Sequence, residues 1–266
     1  MPIPEQIFGW AADPYDPRDE QYKFAPAVHA PEQQIKPVVY QITPRVKNQL
    51  QEGSCVFHAA TEAMEAVEIL TLGQQQRPRL APQFAYYHYR EVEGDITVDG
   101  GANVRAAMKL LARDGVCTEA LWPYSLDNFK TKPSEAAYQD APNHKIATYR
   151  AVDQDLADIL IALSAGFPVV CGISCFESLK SDKVAQSGLV PMPGLREKFI
   201  GGHGILVHGH DVHRRLFICQ NSWGTDWGCQ PPTYPERGHF YLPFDYLTAG
   251  GLASSFWTID LVTGAK

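Results

Sequence analysis

Near residue 145 this sequence changes the way it groups its apolar residues. Before that point they recur at helical spacing: Phe57, Ala60, Met64, Val67 and then Leu70 or Thr71 lie three and four apart. That pattern predicts a buried helix of about four turns with Ser54 as its N-cap. A second helical pattern, Val104, Ala107, Met108 and Leu111, follows Asn103 and stops at Gly115, a good C-terminal cap. After one more helix, from Asp153 through Leu156, Ile159, Leu160 and Leu163 to Gly166, the apolar residues fall into short runs bounded by Gly and Pro. These are FPVVCGI (167–173), HGILVHG (203–209), RLFICQN (215–221) and GHFYLP (238–243), and they read as antiparallel strands. The segregation predicts an α+β chain with a mainly helical lobe over 41–145, a mainly β lobe over 146–266, and a cleft between them where a site would lie. Residues 1–40 hold seven of the twenty prolines and show no sustained period. They are expected to form an extended segment lying over the rest.

Composition removes several function classes. A chain of 266 residues that is 45% hydrophobic and 20% charged is an ordinary globular protein. A net charge of -7 with no basic run gives no electrostatic case for nucleic acid or an anionic membrane surface. Stretches such as LVPMP and FPVVCGI fall far short of the roughly 18 residues a spanning helix needs. The N-terminus lacks the basic head and apolar core of a secretory signal. The expectation is a cytoplasmic protein, or one exported by a dedicated route without a signal peptide. Six cysteines, Cys55, Cys117, Cys171, Cys175, Cys219 and Cys229, form no zinc-type pairing. Most are expected to be reduced small hydrophobes, with one bridge still open.

Cys55 stands out by position. In NQLQEGSCVFHAA (48–60) it opens the first helix, where unpaired N–H groups stabilise a thiolate. Taken alone, such a cysteine is more often core packing. GGHGILV adds His203 behind two glycines, and ICQNSWGTDWG adds Asn221 just past the next strand, with Trp223 beside it. A histidine acting as base needs a partner on its second nitrogen, and a side-chain amide supplies one while an indole keeps water off the bond.

Read together, NQ at 48–49, GSC at 53–55, DGG at 99–101, GGHGILVHGHD at 201–211 and NSWGTDWG at 221–228 resemble the papain-like cysteine peptidases in order and mutual spacing, over most of the chain from about 40 to 250. The first separation, Cys55 to His203, falls within the range of about 130–150 residues known for that arrangement, and the Asn221 separation lies somewhat beyond it. The resemblance implies a two-lobe papain-like fold whose second lobe is an antiparallel sheet or barrel-like. It implies Cys55 as nucleophile, His203 as the paired imidazole, Asn221 as its orienter, and Gln49 with the Cys55 N–H as oxyanion donors. Gly100 and Gly101 of the DGG turn would meet an extended substrate, with Trp223 shielding. The expected activity is hydrolysis of peptide bonds in peptide or protein substrates through an acyl-enzyme, without metal or organic cofactor. A catalytically silent peptide-binding relative and an acyltransferase with the same residues are the alternatives.

Departures from the family pattern are also visible. The family's cysteine three before the nucleophile is Glu52 here, the position before DGG that would pair with it is Val98, and Val56 replaces an aromatic. Losing both ends of a bridge together implies a lost disulfide. Gly202 stands where many relatives have Asp, and CQPPTYPER (229–237) is an insertion. FGWAADPYDPRD looks like the lead-in of compact bacterial members, and residues 1–38 are expected to strap across the protein and partly cover the cleft as a short pro-segment. His208, His210 and His213 with Asp211 resemble a metal cluster but are expected to be a satisfied surface rather than ligands. FAYYHYR (84–90) reads as the core edge of an amphipathic helix rather than a stacking shelf.

Overall fold

The structure is a computed structural model, and it describes residues 8–19, 35–41, 43–72 and 78–263. Parts of the expected N-terminal strap, residues 1–7 and 20–34, lie outside the described residues. In chain order the elements are β1 (Val38–Tyr40), α1 (Cys55–Leu72), α2 (Pro82–Glu93), α3 (Val104–Arg113), α4 (Glu135–Asp140), β2 (Lys145–Ala151) and α5 (Leu156–Ser164), then β3 (Val169–Phe176), α6 (Asp182–Ser187), β4 (Phe199–Asp211), β5 (Leu216–Gln220), β6 (His239–Pro243), α7 (Phe244–Thr248) and β7 (Ala253–Thr263).

The chain is α+β, as expected. Its sheet is antiparallel, in the order β2-β7-β3-β4-β5-β6, with β1 pairing β4. The barrel-like expectation is corrected in one respect: the sheet is open. Period-2 alternation splits its apolar residues between two faces. Val170, Leu206, Trp257 and Ile259 join α1, α2 and α3 in one core. Val169, Cys171, Ile173, Ile205 and Val207 join Leu160 and Leu163 of α5 in the other. Full burial of each large side chain contributes about 1.5–3 kcal/mol.

α1 departs from the amphipathic pattern read from its apolar residues. It is enclosed on nearly all sides, so Glu62, Glu65 and Glu68 are buried along with Phe57 and Met64. Lys47 Nζ pairs with Glu65 at 2.6 Å, and the Leu80 N–H donates to the same carboxylate at 2.7 Å. Burial pushes the Glu62 carboxyl up to about 8, against the opposing pull of Lys47. α3 begins as read, with Asn103 Oδ1 accepting from the Ala106 N–H at 2.8 Å. Past its end, Gly115 adopts φ +82, and a Cβ there would overlap the Ala141 carbonyl. Strands β2 and β7 pair along Lys145↔Thr263 to Ala151↔Trp257. Neither reads as a strand in sequence, because exposure along β2 and at the end of β7 dilutes the apolar alternation.

The histidine cluster is a second correction. His208 and His210 are fully buried. The insertion explains half of this: its Tyr234 covers the end of the sheet, with its hydroxyl 2.7 Å from His208 Nδ1 and its ring stacked on His239 at 4.7 Å. His210 Nε2 donates to the Lys36 carbonyl at 2.7 Å. Burial holds both imidazoles below their ordinary pKa. Among the described residues no group of three or more His, Cys, Asp and Glu is placed to hold a metal, and no helix is long and apolar enough to cross a membrane. All six cysteines are free thiols. The FAYYHYR segment lies in α2 with Phe84, Tyr86 and Tyr87 buried.

Candidate active site

Three backbone features converge on Cys55. It is the first residue of α1, so the N–H groups of the helix start are not consumed by intrahelical bonds. The turn before it is bent by Leu50 in the left-handed region at φ +52, which costs a non-glycine residue strain. That turn is docked on the segment after β5: Asn48 bridges Trp223, the Gln49 N–H donates to the Ser222 carbonyl at 2.8 Å, and the Gly224 N–H donates to the Lys47 carbonyl at 3.0 Å.

The facing wall is a free strand edge. β4 pairs with β3 along Val207 to Phe199, but β5 reaches only from Asp211 to Leu206 on the other side. Residues 199–205 therefore present an open edge beside the helix start. The Gly204 N–H on that edge donates to Cys55 Sγ at 3.3 Å. Only glycine allows this approach, since a Cβ on Gly204 would lie 2.9 Å from Val56 Cα. His203 is the neighbouring residue. Its Nε2 lies 2.8 Å from Asn221 Oδ1, which also accepts from the Ser222 N–H at 2.8 Å; the amide oxygen thus makes Nε2 the protonated nitrogen. His203 Nδ1 is buried and has no hydrogen-bond partner among the described residues. The Trp223 ring lies against the imidazole at 4.9 Å, backed by Trp227 at 5.0 Å.

Gln49 is buried in the same place. The Ser222 hydroxyl donates to its Oε1 at 2.6 Å, and its Nε2 donates to the Glu52 carbonyl at 2.8 Å. The structure thus brings Cys55, His203, Asn221, Gln49 and Trp223 together. Gly101, at φ +71, lines the cleft, while Gly100 is exposed beside it.

The cleft is occupied by the chain's own residues 8–13. The Ala102 N–H donates to the Gly9 carbonyl at 2.8 Å, the Ala11 N–H donates to the Ala102 carbonyl at 3.1 Å, and the Trp10 N–H donates to the Gly202 carbonyl at 3.0 Å. The paired residue of the DGG turn is therefore Ala102, one past Gly101, whose own N–H donates to the Tyr86 hydroxyl at 3.0 Å. The Trp10 indole fills a hollow walled by Gly172 and Gly202; a Cβ on Gly172 would overlap the ring, and one on Gly202 would lie 2.6 Å from it. Phe8 packs edge-on to both His203 and Trp223 at 6.2 Å. Beyond the cleft the segment is clamped at Asp13, which accepts from the Trp257 indole N–H at 2.7 Å and the Arg105 N–H at 3.0 Å, and at Asp19, which is ion-paired to Arg105.

This occupancy inverts the expected electrostatics. Cys55 is 0% and His203 1% exposed. Burial pushes the thiol up to about 11, against the lowering effect of the Gly204 and Gly9 amides. Burial pulls the His203 imidazole down to about 4, against its bond to Asn221. Burial thus favours the neutral thiol and the neutral imidazole, where the helix start alone would favour a thiolate. The sequence holds no periodic signal for Phe8, Trp10, Ser222 or Tyr86 at this site, since their roles depend on distant partners. Gly204, a glycine inside a strand pattern, did carry a cue for close backbone approach.

The sequence profile of the papain family of cysteine proteases matches residues 36–237. An uncharacterized peptidase C1-like protein of Acanthamoeba polyphaga mimivirus is 36% identical over 221 residues, covering 79% of this chain and 68% of its own length. Human cathepsin L2 is 29% identical over 201 residues, 70% of this chain and 55% of the relative. Among solved structures, xylellain, a cysteine protease from Xylella fastidiosa, superposes with a TM-score of 0.85 at 30% identity, covering 97% of this chain and 96% of its own. The chain belongs to the papain family of cysteine proteases.

Proposed function

We propose that the protein is a cysteine endopeptidase whose nucleophile is Cys55, and that residues 8–19 hold it latent. The Cys55 proton passes to His203 Nδ1, and the sulfur attacks the scissile carbonyl carbon. The oxyanion takes hydrogen bonds from the Cys55 N–H and from Gln49 Nε2, donors already fixed in place before charge develops. As the C–N bond breaks, His203 returns the proton to the leaving amine, giving an acyl-enzyme. Water then loses a proton to His203, attacks the thioester and releases the acid and the thiol. Asn221 Oδ1 keeps the imidazole in the tautomer this needs, and Trp223 keeps water from competing for that bond. The observation that carries the reading is the 3.3 Å bond from the Gly204 N–H to Cys55 Sγ, which sets the thiol beside a histidine whose other nitrogen has no partner.

A substrate would take the place of residues 9–11, using the free edge of β4 and the backbone of Ala102 as an added strand. Latency rests on that competition and on the burial that keeps both reacting groups neutral. The test is mass spectrometry of the intact protein with an epoxysuccinyl inhibitor, together with mapping of cleavage sites in a denatured protein substrate. One adduct at Cys55 in a strap-released variant, slow or absent in the full chain, lost in Cys55→Ala and strongly slowed in His203→Ala, with cuts inside the substrate chain, is the expected result. No adduct in either the full chain or a strap-released variant would sink the proposal.

A further inference from the structure

The helix-side wall of the cleft is assembled from two turns, 49–53 and 98–102, that no strand ladder joins. One pair of side chains links them. Both oxygens of Asp99 accept from the Gly53 N–H, at 3.0 and 2.9 Å. The Tyr86 hydroxyl, reaching from α2, donates to Asp99 Oδ1 at 2.5 Å and accepts from the Gly101 N–H at 3.0 Å. The chain of bonds thus runs from the residue two before Cys55, through a carboxylate and a phenol, to the residue next to Ala102. Gly53 lets the carboxylate in, since a Cβ there would lie 2.6 Å from Asp99 Oδ1.

The phenol itself is held rigidly. Tyr86 is fully buried, with Phe57 against its ring at 5.8 Å and the Arg90 guanidinium over it at 4.6 Å. Arg90 is fixed in turn by donating to the Ile96 and Phe129 carbonyls at 2.6 Å each. Burial and the Asp99 charge keep the phenol protonated, so its donor role to Asp99 and acceptor role to Gly101 are set. Glu52 and Val98, the two positions where the resemblance places a lost bridge, are the immediate neighbours of Gly53 and Asp99.

We infer that Asp99 and Tyr86 are positioning residues of the peptidase site, a hydrogen-bonded tie that sets the nucleophile's helix start against the backbone that pairs with substrate. Neither residue touches the reacting atoms. Asp99 acts through the Gly53 peptide on the Cys55 N–H, and Tyr86 acts through Gly101 on Ala102. Misplacing a catalytic group by about 1 Å costs on the order of 100-fold in rate.

The inference rests on the peptidase reading above, so the test has a readout that does not need peptide cleavage. Asp99→Asn, Tyr86→Phe and the double variant are compared with wild type, in the full chain and in a strap-released Gly9→Val background. The measurements are kcat and KM on a fluorogenic peptide, the rate of Cys55 alkylation by iodoacetamide, and the melting temperature. Expected is a loss in kcat/KM of about 10- to 100-fold for each single variant. Asp99→Asn, which frees both turns, should lower kcat, raise KM and slow alkylation, whereas Tyr86→Phe, which frees only the turn at 98–102, should act mainly on KM. The double variant should be no worse than Asp99→Asn, because both break one chain of bonds. Folded single variants with wild-type kcat/KM and alkylation, or strictly additive losses, would overturn the inference. If Asp99→Asn does not fold, Tyr86→Phe, which removes one oxygen, still decides the KM outcome. A wild type that alkylates at Cys55 yet cleaves no peptide would refute the peptidase reading instead, and the alkylation rates would then judge the tie alone.

Discussion

The two walls of the cleft are built by different means. On the sheet side, His203 sits in β4, whose backbone is locked residue by residue to β3 from Val207 to Gly201. On the helix side, only a few backbone bonds dock the turn before Cys55, and side chains secure the rest: Ser222 on Gln49, Asp99 on Gly53, and Tyr124, whose hydroxyl donates to the Gln49 carbonyl at 2.6 Å. A backbone ladder spreads the positioning over many bonds and tolerates most side-chain changes. A side-chain network concentrates it, so single substitutions can move the wall. The lesson is that the placement of His203 follows from the sheet, whereas the placement of Cys55, the proposed nucleophile, depends also on individual polar residues scattered over the sequence.

The largest effect that could test this contrast comes from the reacting groups. Cys55→Ala or His203→Ala should each lower kcat/KM by more than about 1000-fold, measured on a fluorogenic peptide. Melting temperature should change little for either variant. Next comes the contact between the walls. In Gly204→Val a side chain would meet Val56 Cα at 2.9 Å and Val56 N at 3.0 Å, so the strand edge and helix start must part. We expect a fall in kcat/KM of about 100-fold in a folded protein. Retained activity would mean that the sheet wall yields more easily than a ladder should.

Gly9→Val probes the strap against both walls, because a side chain there would overlap the Gly53 carbonyl. Displacing the strap exposes Cys55 and His203 to water. The thiol, now up at about 11, then falls, and the imidazole, now down at about 4, rises. Alkylation of Cys55 by iodoacetamide at pH 6–7 should therefore quicken by about tenfold or more, since the thiolate is the nucleophile. An unchanged rate would separate the strap from latency.

The smallest effect concerns stability of the helix that carries the nucleophile. The Glu62 carboxyl is raised by burial to about 8 from an ordinary 4.5, so the folded chain keeps a proton the unfolded chain releases. Its contribution to stability is complete below about pH 4.5 and is lost as pH rises toward 8. Glu62→Gln should remove that loss. Its gain over wild type in denaturant titrations should grow between about pH 5 and 8 to on the order of 5 kcal/mol, and vanish below about pH 4.5. A gain constant with pH would assign the effect to packing instead.

What could be read from sequence follows locality. The helix starting at Cys55, the Asn103 cap of α3 and the strands carrying His203 and leading to Asn221 are encoded by neighbours within a few residues. The conjunction of Cys55, His203, Asn221 and Gln49 was legible because each has a characteristic local setting and the order is preserved. The buried glutamates of α1 were not, since their cover comes from residues such as Lys47 and Leu80. The histidines of β4 looked like surface because nothing local shows that Tyr234 of the insertion covers His208.

By itself, then, the sequence determined the α+β plan, through periodicity and capping, and its motifs carried the resemblance to the papain-like peptidases and the candidate residues for thiol chemistry that the resemblance implies. Only the tertiary structure decided the state of that chemistry. Folding residues 8–13 over the edge of β4 buries Cys55 and His203, and that burial acts against the helix-start field that favours a thiolate. It also decided which side chains stand behind Cys55, because the Gly53, Asp99, Tyr86 and Gly101 chain of bonds joins positions up to 48 residues apart that become neighbours only when α2 packs beside α1.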